Sequence, residues 1–233
     1  MKKLVFVLAG LIVVFAINAQ SLDEIVKKYS SVMKSDKLAE ITSIKITGKM
    51  SAMGMEMPMV MLMKNPNKIK VTYTFNGQDM VSVFDGTKGY MINPMMGSSS
   101  PVELTGEQLK QVQENNPFKN VLLNYFKNGQ LTLEGQENVN DKPAFKLKAT
   151  SGSSPVFLFV DKGSYMLVKT SATVDQMGTS MNIDSYMTDY VDIDGVIMPK
   201  KTTAMANGME AGIITLDKIE VNIPLEDSVF KIK

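Results

Sequence analysis

The chain has 233 residues and a formal net charge of +1, a length that suits one β-rich domain or two small ones. It contains no Cys, His or Trp, and all 25 basic residues are Lys. That excludes disulfides, thiolate and imidazole chemistry, zinc–cysteine sites and the two-pronged grip of a guanidinium, and the near-neutral charge leaves no electrostatic footprint for nucleic acid.

Lys2 and Lys3 precede an apolar run over residues 4–17, and Asn18 and Ala19 follow it. This layout predicts a secretory signal peptide over residues 1–19, cleaved after Ala19. The apolar run of 14 residues is shorter than the ~18–20 needed to span a bilayer. Removing residues 1–19, which carry two Lys and no acid, leaves 214 residues with a net charge of −1. The expectation is a mature periplasmic protein folded as a single domain over residues 20–233.

Residues 21–40 read as an amphipathic helix. Ser21 and Glu24 form a capping box, and Leu22, Ile25, Val26, Tyr29, Val32 and Met33 recur at helical spacing. From Ile41 the period becomes two. Ile44, Ile46, Gly48 and Met50 alternate with polar residues, and a second strand over residues 55–63 carries Met at every odd position. After Pro66-Asn67, a third strand alternates Ile69, Val71, Tyr73 and Phe75 with Lys and Thr. Asn76-Gly77 signals a hairpin, and short strands follow around residues 80–84 and 89–92.

A polar loop is expected over residues 97–100. Two helices come next, the first capped by Thr105 and Gln108. The second starts at Asn116-Pro117, carries Phe118, Val121, Leu122, Tyr125 and Phe126 on one face, and ends at Asn128-Gly129. Seven further strands run from residue 130 to 222, with turn signals at 161–163, Asp194-Gly195 and Asn207-Gly208. The pattern predicts an α+β fold: a strongly curved antiparallel sheet forming an unclosed β-barrel, with about three helices gathered on one side as a lid.

Patterns that carry catalysis are missing. There is no Gly-x-Ser-x-Gly elbow, no Walker loop and no dinucleotide fingerprint. Asp189, Asp192 and Asp194 precede Gly195, but a twelve-residue calcium loop counted from Asp192 would place Ile197 at the turn glycine and Thr203 at the bidentate glutamate. A hairpin end explains them better. No enzymatic activity, cofactor or metal site is expected.

The 20 Met residues need an account of their own. Met53, Met55, Met57, Met59, Met61 and Met63 share one face of an extended chain, with Met50 close by. Ordinary core is one reading, although a core strand favours β-branched residues and Met specifies packing loosely. A thioether site for Cu(I) is the second, and the alternative kept for this protein's function. The third, preferred here, is a deformable apolar wall that accepts varied greasy ligands.

Several short stretches resemble the LolA-type periplasmic carriers of outer-membrane lipoproteins. They run from Lys64-Asn65-Pro66-Asn67 through Asp85-Gly86-Thr87-Lys88-Gly89-Tyr90 to Asn93-Pro94. The segment from Tyr186 to Tyr190, with Gly195 and Pro199, and the closing residues 225–230, read as a terminal strand, are similar too. The resemblance implies acyl chains of lipoproteins or other lipids held in a concave apolar groove, receipt from an inner-membrane transporter and delivery to an outer-membrane receptor. Those carriers hold the lid shut with an Arg near the first strand. This chain has none, and Lys45 and Lys49 are the cations near that place. The receptor of the same pathway is itself a lipoprotein, which a chain without Cys does not match. A monomer is expected. The groove is expected to be lined by Met55, Met57, Met59, Met61, Ile69, Val71, Tyr73 and Phe75, and closed by Phe118, Leu122 and Phe126.

Overall fold

A computed structural model describes residues 20–114, 116, 118, 120–151, 154–176 and 179–231. The expected signal peptide lies outside the described residues. The first helix, α1 (Leu22–Val32), starts as expected. The Ser21 hydroxyl accepts from the Glu24 backbone N–H, and the Glu24 carboxylate accepts from the Ser21 N–H. Its buried side, Ile25, Val26 and Tyr29, follows helical spacing. The helix does not run on to residue 40. Lys34 adopts φ +45° and a one-turn helix, α2 (Ser35–Leu38), follows. Two contacts bend the chain there: Lys34 pairs with Asp192, and the Ser35 hydroxyl accepts from the Asn120 amide.

Among the described residues, thirteen strands build one antiparallel sheet. A first meander comprises β1 (Ser43–Ala52), β2 (Met55–Lys64), β3 (Lys68–Phe75), β4 (Gln78–Phe84), β5 (Gly89–Asn93) and β6 (Ser98–Leu104). Then come α3 (Gly106–Glu114) and α4 (Val121–Lys127). A second meander comprises β7 (Leu131–Val139), β8 (Lys142–Ser151), β9 (Ser154–Asp161), β10 (Leu167–Gln176), β11 (Thr179–Ile193), β12 (Val196–Ala206) and β13 (Met209–Val221). The meanders join where β1 pairs with β13, and the strand order runs from β6 at one edge to β7 at the other. The two edges do not pair. The barrel is therefore unclosed, and α3 and α4 occupy the chain that links its edges.

Three further expectations are corrected. Residues 97–100 were expected as loop, but β6 occupies most of that stretch and pairs with β5 alone; an edge strand tolerates its Ser-rich sequence and Pro101 because one side needs no ladder partner. The last helix begins at Val121 rather than near Asn116, because the Asn120 side chain accepts from the Leu123 N–H and caps it there. Residues 225–230 do not form a terminal strand. Asp227–Phe230 is a 3-10 turn in which Phe230 is buried, and Lys64 and Lys68 both pair with Asp227 at 2.7 and 2.8 Å.

The inner face of the sheet carries two apolar clusters. Ile25, Val26 and Tyr29 of α1 and Leu122 of α4 pack on Leu131, Phe145, Leu147, Ala149, Leu158 and Val160 of β7–β9. Phe118, just before α4, packs on Ile44, Ile46, Met59, Met63 and Leu216 of β1, β2 and β13. On the outer face of β8–β11, lysine stems do the covering. Lys146 lies 5.0 Å over the Phe157 ring, and Lys169 lies 5.1 Å over Phe159 while pairing with Asp184 at 2.9 Å.

Candidate apolar binding site

Register groups the residues of the Met strand by face, and packing shows which face looks inward. Met63, Met61, Met59 and Met57 stand opposite Ile44, Ile46, Gly48 and Met50 of β1. On the other side, Met59, Met61 and Met63 stand opposite Tyr73, Val71 and Ile69 of β3. Because Ile44, Ile46, Met59 and Met63 are the residues on which Phe118 packs, the odd Met positions face the helices. The even face of the strand carries Glu56, Pro58 and Val60, all exposed.

The inner wall falls into two halves. Around β7–β9 it is sealed: Phe145, Leu147, Ala149, Leu158 and Val160 are at most 2% exposed beneath α1 and α4. On β2 and β3 the covering is incomplete. Met55, Met61, Ile69, Val71, Tyr73 and Phe75 are half-buried, as is Met80 on β4. Met57 and Met59 lie deeper and are buried. The half-buried wall is therefore aliphatic and thioether surface spread over neighbouring strands. Burial also pushes the Tyr73 hydroxyl pKa above its ordinary value.

The eight wall residues expected from the sequence thus share one face, with Phe75 continuing the β3 row opposite Gln78. The three expected lid residues separate. Phe118 meets the Met strand, whereas Leu122 and Phe126 pack with α1 against the other half of the barrel. Sequence reasoning missed the part of the wall given by β13, where Ile214 stands opposite Met50 and Leu216 opposite Gly48. Alternation in residues 212–222 was the available signal, but pairing across about 170 positions leaves no local trace.

Among the described residues, two asparagines fasten the lid segment. Asn116, 4% exposed, donates to the Pro66 carbonyl at 2.7 Å and accepts from the Phe118 N–H at 2.9 Å. Asn120 accepts from the Tyr29 hydroxyl and donates to Ser35, both at 3.2 Å. Lys49, one of the two cations considered for this role, instead pairs with Glu56 at 2.7 Å across the β1–β2 hairpin.

Other concavities differ in kind. A cavity of about 820 Å³ between α1, α2 and the β11–β12 turn is lined by Lys27, Lys34, Asp36, Lys37 and Asp194, among others. It is a charged surface cleft, separate from the apolar wall. Asp192, singled out above as a weak calcium candidate, accepts from the Gly195 N–H at 2.9 Å as a turn residue. Among the described residues, no group of three or more acidic side chains is arranged to hold a metal, and no helix is long and apolar enough to cross a membrane.

No protein-family model matches the chain, and no curated protein matches its sequence. Solved structures do match. A DUF1329 family protein from Desulfovibrio piger superposes with a TM-score of 0.60 at 12% identity, covering 89% of this chain and 97% of that one. A LolA superfamily protein from Nitrosomonas europaea gives 0.55 at 15% identity, over 87% and 97% of the two chains. A domain from Vibrio parahaemolyticus named for outer membrane lipoprotein sorting gives 0.57 at 9% identity, over 88% and 97%. At these identities the likeness is one of fold. The chain has a LolA-like fold, an unclosed antiparallel barrel with helices over its inner face.

Proposed function

We propose that this protein is a periplasmic carrier that holds the acyl chains of lipoproteins or other lipids against the β2–β3 wall and performs no chemistry on them. One observation carries the proposal: helices fill the β7–β9 half of the barrel and leave Met55, Met61, Ile69, Val71, Tyr73 and Phe75 only half-buried on the opposite half. A methylene withdrawn from water contributes about 0.8 kcal/mol, so such a wall binds an acyl chain without any charged group. Unbranched Met side chains adapt to chains of different length and branching. A carrier gains from that tolerance. Delivery would run from an inner-membrane source to an outer-membrane acceptor, after cleavage of residues 1–19.

Native mass spectrometry of the protein purified from its own periplasm tests the proposal. Co-purifying acyl species support it. A Cu(I) ion bound without lipid would overturn it in favour of a thioether metal site, for which the direct pairing of Met50 with Met57 across β1 and β2 supplies a ligand pair. Replacing Met55, Met57 and Met61 by Leu separates the two by chemistry, since Leu keeps the apolar volume and removes sulfur. Lipid binding is expected to survive that change.

A further inference from the structure

The row of inner-face residues through Met59 and Tyr73 continues to Met80 on β4. The β4–β5 ladder ends at Val81↔Ile92, and that register carried one residue further places Asn93, the last residue of β5, beside Met80 in the same row. Neighbouring strands stand about 4.8 Å apart, so Tyr73 and Asn93 are separated by about 10 Å along the wall, with a thioether between them.

Both are polar residues in an apolar row, and neither side chain has a hydrogen-bond partner among the described residues. The Asn93 amide does not cap the 3-10 turn that follows it, and its Oδ1 is buried with no donor. Tyr73 is half-buried and shows no hydrogen bond from its hydroxyl. Asparagines elsewhere on the inner side are satisfied: Asn116 by Pro66 and Phe118, Asn120 by Tyr29, Ser35 and Leu123, Asn65 by the Ile41 carbonyl. Buried polar atoms are rarely left single, and one that is asks what would complete it. Here the missing partner is a donor, and it is missing at the level of the wall where a half-buried phenol offers a donor of its own.

We propose that Tyr73 and Asn93 form a polar subsite for the linkage of the acyl ligand. The Tyr73 hydroxyl donates to a carbonyl, and the Asn93 carbonyl accepts from an amide N–H or a hydroxyl on the same linkage. The hydrocarbon then runs along Val71 and Met61 towards Ile69 and Met63, beneath Phe118. This rests on the acyl-carrier proposal and narrows its ligand to acyl groups joined through an amide, or through an ester beside a hydroxyl. A hydrocarbon without such a linkage uses the wall but not the subsite.

The experiment compares two probes on the full mature chain. One is a tripalmitoylated cysteinyl peptide, which carries ester carbonyls and an acyl amide. The other is diphenylhexatriene, which has no hydrogen-bonding group and reports by fluorescence. Tyr73→Phe and Asn93→Leu are each expected to weaken the lipopeptide about three- to tenfold relative to diphenylhexatriene. Asn93→Leu is also expected to raise the Tm of the unliganded protein, because it removes an orphaned acceptor. Should Asn93→Leu fail to fold, Tyr73→Phe, which deletes one hydroxyl, carries the comparison by itself. An unchanged lipopeptide-to-diphenylhexatriene affinity ratio in the variants overturns the subsite and leaves the carrier proposal standing. A wild-type protein that binds neither probe overturns both.

Discussion

The Tyr29 hydroxyl donates to the Asn120 side-chain carbonyl at 3.2 Å, and that one contact ties the first helix to the start of the last. The same carbonyl caps α4 through the Leu123 N–H. Removing the two partners should therefore have unequal effects. Tyr29→Phe is expected to cost about 0.5–1.5 kcal/mol, the net worth of one hydrogen bond. Asn120→Ala also removes the cap and leaves a buried hydroxyl unpaired, and should cost about 2–3 kcal/mol. Urea unfolding of both variants checks the order. Equal losses would mean that the cap adds nothing.

Tyr29 also sets an alkaline limit. Burial pushes its pKa up to about 12, and burial raises that of Tyr190 as well. Below about pH 10 both states of the chain keep these phenols protonated, so stability is full. Above that the unfolded chain loses its protons first, and stability falls as the pH climbs through 10 towards 12. A Tm profile from pH 8 to 12 should show the decline, and Tyr29→Phe should flatten part of it.

At the acid end the relevant group is Asp227. Hydrogen bonds from Lys64 and then Lys68 hold its pKa near 2. Its contribution is present above the ordinary carboxylate range and is lost as the pH falls from about 4 to 2. What loosens is the C-terminal turn that buries Phe230. Asp227→Asn should make residues 224–231 susceptible to carboxypeptidase at neutral pH, as the wild-type protein becomes only under acid conditions. Equal resistance of the two at pH 7 would contradict this role for the Lys pair.

Gly48 is a point of close backbone approach between the two meanders. A Cβ added there would lie 2.2 Å from the Thr215 carbonyl oxygen and 3.0 Å from the Leu216 Cα, both backbone atoms that have nowhere to go. Gly48→Ala should destabilise by about 3 kcal/mol or more. At Gly89 the nearest atoms are the methyl ends of Leu104 and Leu109, at 3.1 and 3.2 Å. Those ends can swing aside while the Leu104 Cβ at 3.3 Å must give by a few tenths of an ångström, so Gly89→Ala should cost about 1–2 kcal/mol. Denaturant midpoints of the two variants decide the matter.

Substitutions along the Met strand should split by depth. Met59 is 1% exposed within the β1–β2–β13 cluster, so Met59→Gln buries an unpaired amide and should cost about 2–4 kcal/mol. Met61 is half-buried on the wall. There Met61→Gln should lose less stability, under about 1.5 kcal/mol, and more affinity for acyl ligands. Paired thermal and lipid-binding assays on both variants give the answer. Equal loss of stability would place both residues in the core.

The strands, the first helix and its cap, and the Met face were legible locally, because period two, period 3.6 and a Ser-x-x-Glu box express forces acting between residues a few positions apart. Even the wall set of Met55, Met57, Met59, Met61, Ile69, Val71, Tyr73 and Phe75 could be grouped, since consecutive hairpins carry parity from one strand to the next. Alternation is symmetric, however, and Val60 and Leu62 made residues 59–63 apolar on both sides. Only the packing of Phe118 on Ile44, Ile46, Met59 and Met63 broke that symmetry and turned the odd positions inward. The pairing of β1 with β13, the separation of Phe118 from Leu122 and Phe126, and the orphaned Asn93 beside Met80 were decided in the same way by tertiary contact. Each depends on chain segments far apart in sequence, whose meeting is fixed by the total burial of the barrel and leaves no periodic mark on either segment.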